Sequence, residues 1–196
     1  MGQGDAQLGD QRDRELTSFR AEVARAQDRL SDLSALGHRI ALSSDLPSVL
    51  QEVVDAAGRM TEARYGALAV LDAEGTVQTL VTHGLTVEER ERIGHYPHGI
   101  GLLGHIIEAD GPLRLADLTQ HPAAVGFPPN HPTMKTFIGC AIRDADGPLG
   151  SILLSEKAEG EEFTEEDESL LALLGGHAAA AVRHARLHEL LVDEHA

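Results

Sequence analysis

The run from His121 to Gly139, HPAAVGFPPNHPTMKTFIG, holds four of the chain's eight prolines and constrains the fold more than any other stretch. Proline fixes φ and withholds a backbone donor, so neither a helix interior nor a central strand passes through such a run. With Gly126 and Asn130 it becomes a long, shaped loop. Connections of more than about 12 residues inside a compact domain are usually functional or disordered. The apolar residues Val125, Phe127, Met134, Phe137 and Ile138 are expected to pin this one to a core, which favours function. His131 stands at its centre, followed by a proline and leading into an apolar strand. The run reads as a ligand-binding loop that presents His131 to a pocket.

The elements around the loop follow from periodicity and capping. Leu16, Phe19, Val23, Ala26, Leu30, Leu33, Gly37 and Ile40 recur at spacings of three and four among charged residues. That 3.5-residue repeat predicts a coiled-coil seam between two chains, with packing on the chain's own domain as the other reading. Asp45 is placed to cap a second helix with Pro47 in its first turn and Val49, Leu50, Val53, Val54, Ala57 and Met60 as its apolar stripe. Residues 67–71 and 77–82 read as a hairpin about the turn 72–75. Thr86 with Glu89 makes a capping box for a short charged helix ending near Ile93. The glycines of 99–104 open a helix through Ile107, and Leu113–Leu115 forms a small strand. Beyond the loop, strands are expected at 136–142 and 149–155 around an Asp-Gly turn, and Thr164 with Asp167 caps a long closing helix. Hairpins flanked by helices make an α+β domain with a mainly antiparallel sheet. The first and last helices are expected to pack on one face of it, leaving the other for a ligand pocket. The expected divisions are a helix over 1–42, a domain over 43–185 and a helical extension over 186–196.

Composition narrows the function classes. A net charge of −16 argues against a nucleic-acid partner, which needs a basic face, and against an anionic membrane surface. The single cysteine, Cys140, excludes an internal disulfide framework and any cysteine-rich metal site, and its apolar strand predicts a buried, inert thiol. No apolar run approaches the roughly 18 residues of a membrane span, and no signal peptide opens the chain, so a cytoplasmic setting is expected. No nucleophile elbow, P-loop or zinc-protease motif occurs, and residues 99–104, which fit G-x-G-x-x-G, lack the long preceding strand of a dinucleotide site. A sensor or binding module is therefore expected rather than an enzyme. His95 with His98, and His184 with His188, have metal-ligand spacing but no identifiable third ligand. His105 and His121 are expected to satisfy backbone groups near the pocket. A lone loop histidine such as His131 is, on residue statistics alone, more often structural than a ligand.

Three segments carry a resemblance that changes that balance. Residues 63–67 (ARYGA), 92–101 (RIGHYPHGIG) and above all 121–139 resemble the first GAF domain of the actinobacterial DevS/DosS–DosT haem sensor kinases, and the similarity runs from about residue 45 to 185. The resemblance implies a GAF fold, a haem b cofactor and a diatomic ligand (O₂, NO or CO) or redox signal passed through the terminal helices. It implies that His131 is the proximal iron ligand. A proximal histidine leaves the opposite side of the iron open to a gas. The family's distal tyrosine falls on Leu153, and a pocket-wall acid of some members falls on Ala69, while the acid at the strand end is kept as Asp72. Leu80, Phe127, Met134 and Phe137 complete the implied pocket wall. A homodimer and a kinase or response-regulator partner are implied too, although the chain carries neither the second GAF domain nor the kinase core. The other reading of the same residues is a haem-free GAF module that binds another small molecule or acts mainly in dimerisation.

Overall fold

The computed structural model describes residues 3–42, 45–93, 102–127 and 129–193, and divides into two compact units, 1–38 and 39–196. The first unit is the body of α1 (Gln3–Leu42). Along it Leu16, Phe19, Val23 and Leu30 of the heptad stripe are exposed.

The second unit is built on a five-stranded antiparallel sheet of order β2-β1-β5-β4-β3, comprising β1 (Ala63–Leu71), β2 (Val77–His83), β3 (Leu113–Leu115), β4 (Phe137–Arg143) and β5 (Pro148–Lys157). The expected α+β class and antiparallel sheet are present. Both hairpins close through aspartates that bond their own turns. Asp72 Oδ1 accepts from the backbone N–H groups of Glu74 (3.0 Å) and Thr76 (2.7 Å), and Asp144 Oδ1 accepts from those of Asp146 (2.9 Å) and Gly147 (3.1 Å).

The predicted caps are realised. Asp45 accepts from Ser48 N–H (3.2 Å) to start α2 (Leu46–Thr61). Thr86 and Glu89 exchange bonds of 2.8 and 3.2 Å to start α3 (Val87–Ile93). Thr164 and Asp167 do the same at α5 (Glu165–Asp193), where Lys157 also pairs with the buried Asp167 carboxylate. The helix after the glycine run is α4 (Leu102–Glu108).

Alternation along the strands sorts side chains into two faces. Leu68, Val70, Ile138, Cys140, Ile142, Ile152 and Leu154 point to one face and are buried there. That face is covered by α2, through Leu50, Val53, Val54 and Ala57, and by α5, through Leu171, Leu174, Ala178 and Val182. The helix lying beside α5 on the sheet is α2. The turn after β2 is as tight as a backbone permits. Gly84 has φ +79°, and a Cβ there would sit 1.8 Å from the carbonyl oxygen of Arg64, so only glycine fits. Among the described residues no helix is long and apolar enough to cross a membrane.

Candidate functional site

The opposite face of the sheet carries the site. Cross-strand pairing sets its rows. Leu80, Ala69, Ser151 and Ala141 form one row, Thr82, Ala67, Leu153, Gly139 and Leu113 the next, and Ser155, Phe137 and Leu115 a third, with Tyr65 beside Ser155. The middle of this face is floored by small residues, Ala67, Ala69, Gly139, Ala141 and Ser151. The rim is larger. Tyr65, Ile106, Leu118, Met134 and Phe137 make a buried apolar cluster, against which Leu85, Leu102, Leu113, Leu115, Phe127 and Leu153 pack. Ile106 of α4 and the Phe137 ring lie over Gly139, where a Cβ would approach either within 3.0 Å.

The proline-rich loop is ordered by specific bonds. Its entrance is a short 3₁₀ turn, Leu118–Gln120, capped by Asp117, whose Oδ1 accepts from the hydroxyl (2.6 Å) and N–H (3.0 Å) of Thr119. Those bonds, the hydroxyl first, hold the Asp117 carboxyl below its ordinary pKa. The middle is fastened by Asn130, in left-handed backbone (φ 64°), whose side-chain amide donates to the Arg92 carbonyl in the last turn of α3 (3.2 Å). Its exit is gripped by Glu156 at the end of β5. The Glu156 carboxylate accepts from the backbone N–H groups of Lys135 and Thr136, its own N–H donates to Thr136 O (3.1 Å), and the Ser155 hydroxyl donates to the same oxygen (3.0 Å). Glu156 holds φ 58°, a conformation that costs a non-glycine residue free energy and persists where the surroundings over-determine it. Nothing in the sequence marked this residue, because the grip joins positions about 20 apart.

The loop presents His131 as half-buried, stacked on the Phe127 ring at 5.0 Å between centroids with 15° between planes. Its Nδ1 lies 2.8 Å from the Pro132 carbonyl oxygen. A carbonyl only accepts, so Nδ1 carries the proton and Nε2 of the neutral ring keeps its lone pair. That tautomer suits metal ligation, since ligating histidines usually donate the second ring nitrogen to a carbonyl or carboxylate.

The structure brings His131, Phe127, Met134, Phe137 and Leu153 to one apolar neighbourhood and sets Ala69 and Leu80 beside each other on the same sheet face. Asp72 stands apart, its carboxylate committed to the hairpin turn. Val125 is 72% exposed and pins nothing, because the left-handed Gly126 turns the chain before Phe127 packs. His121 Nδ1 accepts from Ala123 N–H (3.2 Å), a backbone group satisfied as expected, and its ring lies 5.1 Å from that of His105. His95 and His98 lie outside the described residues, and His184 and His188 are exposed on α5. Sequence reasoning missed the Asp55–His83 pair (2.7 Å), which fastens β2 to α2 with help from Gln51. The acid and the imidazole lie 28 residues apart, with no local signature.

Cys140 lies on the covered face, its Sγ 3.8 Å from the Leu171 carbonyl, and burial pushes its pKa up to about 11. Thiol reagents at pH 8 are expected to label native protein at least tenfold more slowly than urea-unfolded protein, where the group returns to its ordinary range near 8.5. Equal rates would place the thiol in solvent.

The model for the GAF domain family matches residues 43–183. The chain belongs to that family. It is 27% identical over 156 residues to the Nif-specific regulatory protein of Azorhizobium caulinodans, a match covering 76% of this chain and 25% of that one. A second Nif-specific regulatory protein, from Herbaspirillum seropedicae, is 26% identical over 127 residues, covering 56% of this chain and 23% of the relative. The chain thus matches about a quarter of the length of these regulators. Among solved structures, the GAF domain of a phosphoenolpyruvate-protein phosphotransferase from Coxiella burnetii superposes with TM-score 0.71 at 27% identity, over 84% of this chain and 98% of that one. The free methionine-R-sulfoxide reductase of Neisseria meningitidis shares the fold with TM-score 0.62 at 14% identity, over 82% and 91% of the two chains. The GAF fold hosts sensory and regulatory modules, and the reductase shows that it also carries an enzyme.

Proposed function

We propose that this GAF domain is a sensor that holds haem b against the small-residue face of its sheet, with His131 as the iron's protein ligand, and reports a diatomic gas or the iron's redox state through its terminal helices. The observation that carries the reading is the 2.8 Å approach of His131 Nδ1 to the Pro132 carbonyl oxygen. The Nδ1 bond to the Pro132 carbonyl leaves Nε2 basic, on a loop fastened at entrance, middle and exit, beside an apolar wall. The donor set fits. One neutral imidazole, no competing thiolate on this face and apolar neighbours suit a ferrous or ferric tetrapyrrole with one side left for a gas. Bound there, the haem would supply an iron that takes up O₂, CO or NO. The chain's part is to orient His131, to exclude water with Phe127, Met134, Phe137 and Leu153, and to set the polarity of the free side. Ala69 and Leu80 belong to the same wall in this reading, and Asp72 does not.

Colour tests it. Purified protein titrated with haemin is expected to develop a Soret band at one equivalent, with a ferrous CO spectrum on reduction. Protein that stays colourless would overturn the reading. The close packing of Ile106 and Phe137 over Gly139 favours a second one, a haem-free module whose small guest sits on the alanine floor, and the same titration separates the two.

The signalling half of the proposal is a homodimer paired through α1, in a cytoplasmic protein whose output goes to a kinase or response regulator. The likeness to parts of longer regulators supports it, as does the exposed seam of Leu16, Phe19, Val23 and Leu30. Val23→Glu with Leu30→Glu places like charges at the seam and is expected to give monomers in light scattering. A native chain already monomeric at high micromolar concentration would remove the dimer.

A further inference from the structure

Thr82 breaks the pattern of the site face. The residues beside it there, Leu80 on its own strand and Ala67 and Ala69 on β1, are apolar. Among the described residues, its Oγ1 is a buried side-chain oxygen with no hydrogen-bond partner. Buried hydroxyls are paired in most folded proteins, and an unpaired one costs stability that a valine of the same shape would not. The main chain at this position is satisfied separately, since Gln51 donates to the Thr82 carbonyl at 2.9 Å. The hydroxyl therefore serves neither the sheet nor the turn.

Its place on the sheet says what it faces. Thr82 pairs with Ala67, and Ala67 pairs on its other side with Leu153, so Thr82 and Leu153 lie in one row, two strand spacings or roughly 10 Å apart. The alanine methyl between them leaves the row low in the middle. A small guest over Ala67 would have Leu153 on one side and the Thr82 oxygen on the other. The guest's polar atom is not a carboxylate. A buried charge needs a paired cation, and Leu80, Ala67 and Ala69 offer none. A small neutral acceptor fits.

We infer that the Thr82 hydroxyl is the hydrogen-bond donor this pocket keeps for the oxygen of its diatomic ligand, a role Leu153 cannot fill. The inference rests on the haem-sensor reading above. It assigns ligand discrimination to the edge strand β2 rather than to β5.

Thr82→Val removes the hydroxyl and keeps the shape, and Thr82→Ser keeps the hydroxyl. Without haem, Thr82→Val is expected to hold or raise Tm, by roughly 2–4 °C where the orphan cost is relieved. A fall in Tm would mean the hydroxyl already has a structural partner, and would overturn the inference. After haemin loading and reduction, Thr82→Val is expected to release O₂ about tenfold faster, with CO release within twofold of native and Thr82→Ser near native for both. Unchanged release of both gases, or equal shifts for O₂ and CO, would overturn the inference while leaving the haem reading intact. Loss of haemin uptake in Thr82→Val alone would move the hydroxyl to the tetrapyrrole itself and overturn it as well. If native protein takes up no haemin, the haem reading fails and this inference falls with it.

Discussion

His131→Ala is expected to lower haemin affinity by more than about 100-fold, equivalent to about 2.8 kcal/mol, without unfolding the domain. The two halves of that expectation come from different parts of the structure. Affinity falls because the substitution deletes the imidazole whose Nε2 the Pro132 carbonyl leaves free, and among the described residues no second imidazole stacks on Phe127. The fold survives because the loop is held elsewhere, by Asn130 on α3, by Met134 and Phe137 in the apolar cluster and by Glu156 at the exit. Free imidazole at millimolar concentration is expected to restore a five-coordinate ferrous spectrum by entering the space of the lost ring. The measurements are a haemin titration, a ferrous spectrum with and without imidazole, and far-UV circular dichroism to confirm the fold. Native affinity and an unchanged spectrum in the variant would remove His131 from the iron. Lost colour with lost secondary structure would instead mean that the histidine is a loop strut.

Most of the fold was legible because its signals are local. Asp45 and Thr164 with Asp167 sit immediately before apolar-periodic runs, Thr86 with Glu89 before a short charged one, and each caps the helix it announces. The two aspartate turns announced their hairpins in the same way. Strand ends were less legible. β1 begins at Ala63, four residues before the apolar run, because Arg64 and Gly66 interrupt the hydrophobic pattern while Ala63 and Tyr65 pair with β5 and Gly66 with both β2 and β5. β5 runs on to Lys157 because Glu156 and Lys157 are held by Thr136 rather than by apolar burial. The strand order was not legible at all. Inserting β5 beside β1 joins residues some 90 apart, and no short-range pattern encodes that pairing. The site follows the same division. His131 and its apolar neighbours stood out by composition, whereas Glu156, Asp55 with His83, and Thr82 matter through contacts between distant segments. Thr82 left one faint signal, a hydroxyl two residues from Leu80 on a strand whose alternation points both to the same face.

Leu153→Tyr is expected to slow O₂ release from the reduced, haemin-loaded protein by about tenfold or more while moving CO release far less. Leu153 faces the site and is only partly buried, and its cross-strand partners are the two smallest available, Ala67 and Gly139. On the Gly139 side the space is already taken by Ile106 and Phe137, so a tyrosine ring has room only toward Ala67, the direction of the guest and of Thr82. Bound O₂ is more strongly polarised than bound CO, and a hydrogen bond to a charged acceptor contributes about 1.5–3 kcal/mol. Each 1.4 kcal/mol or so is a factor of ten, which sets the expected size of the O₂ effect and the near absence of one for CO. Native protein, which has the Thr82 hydroxyl as donor and none at Leu153, is expected to oxidise in air faster than the variant, which has both. Stopped-flow release of both gases from both proteins separates polarity from size. Slowing of O₂ alone supports a donor placed over the Ala67 floor, whereas equal slowing of O₂ and CO would show that the larger ring merely closes the exit.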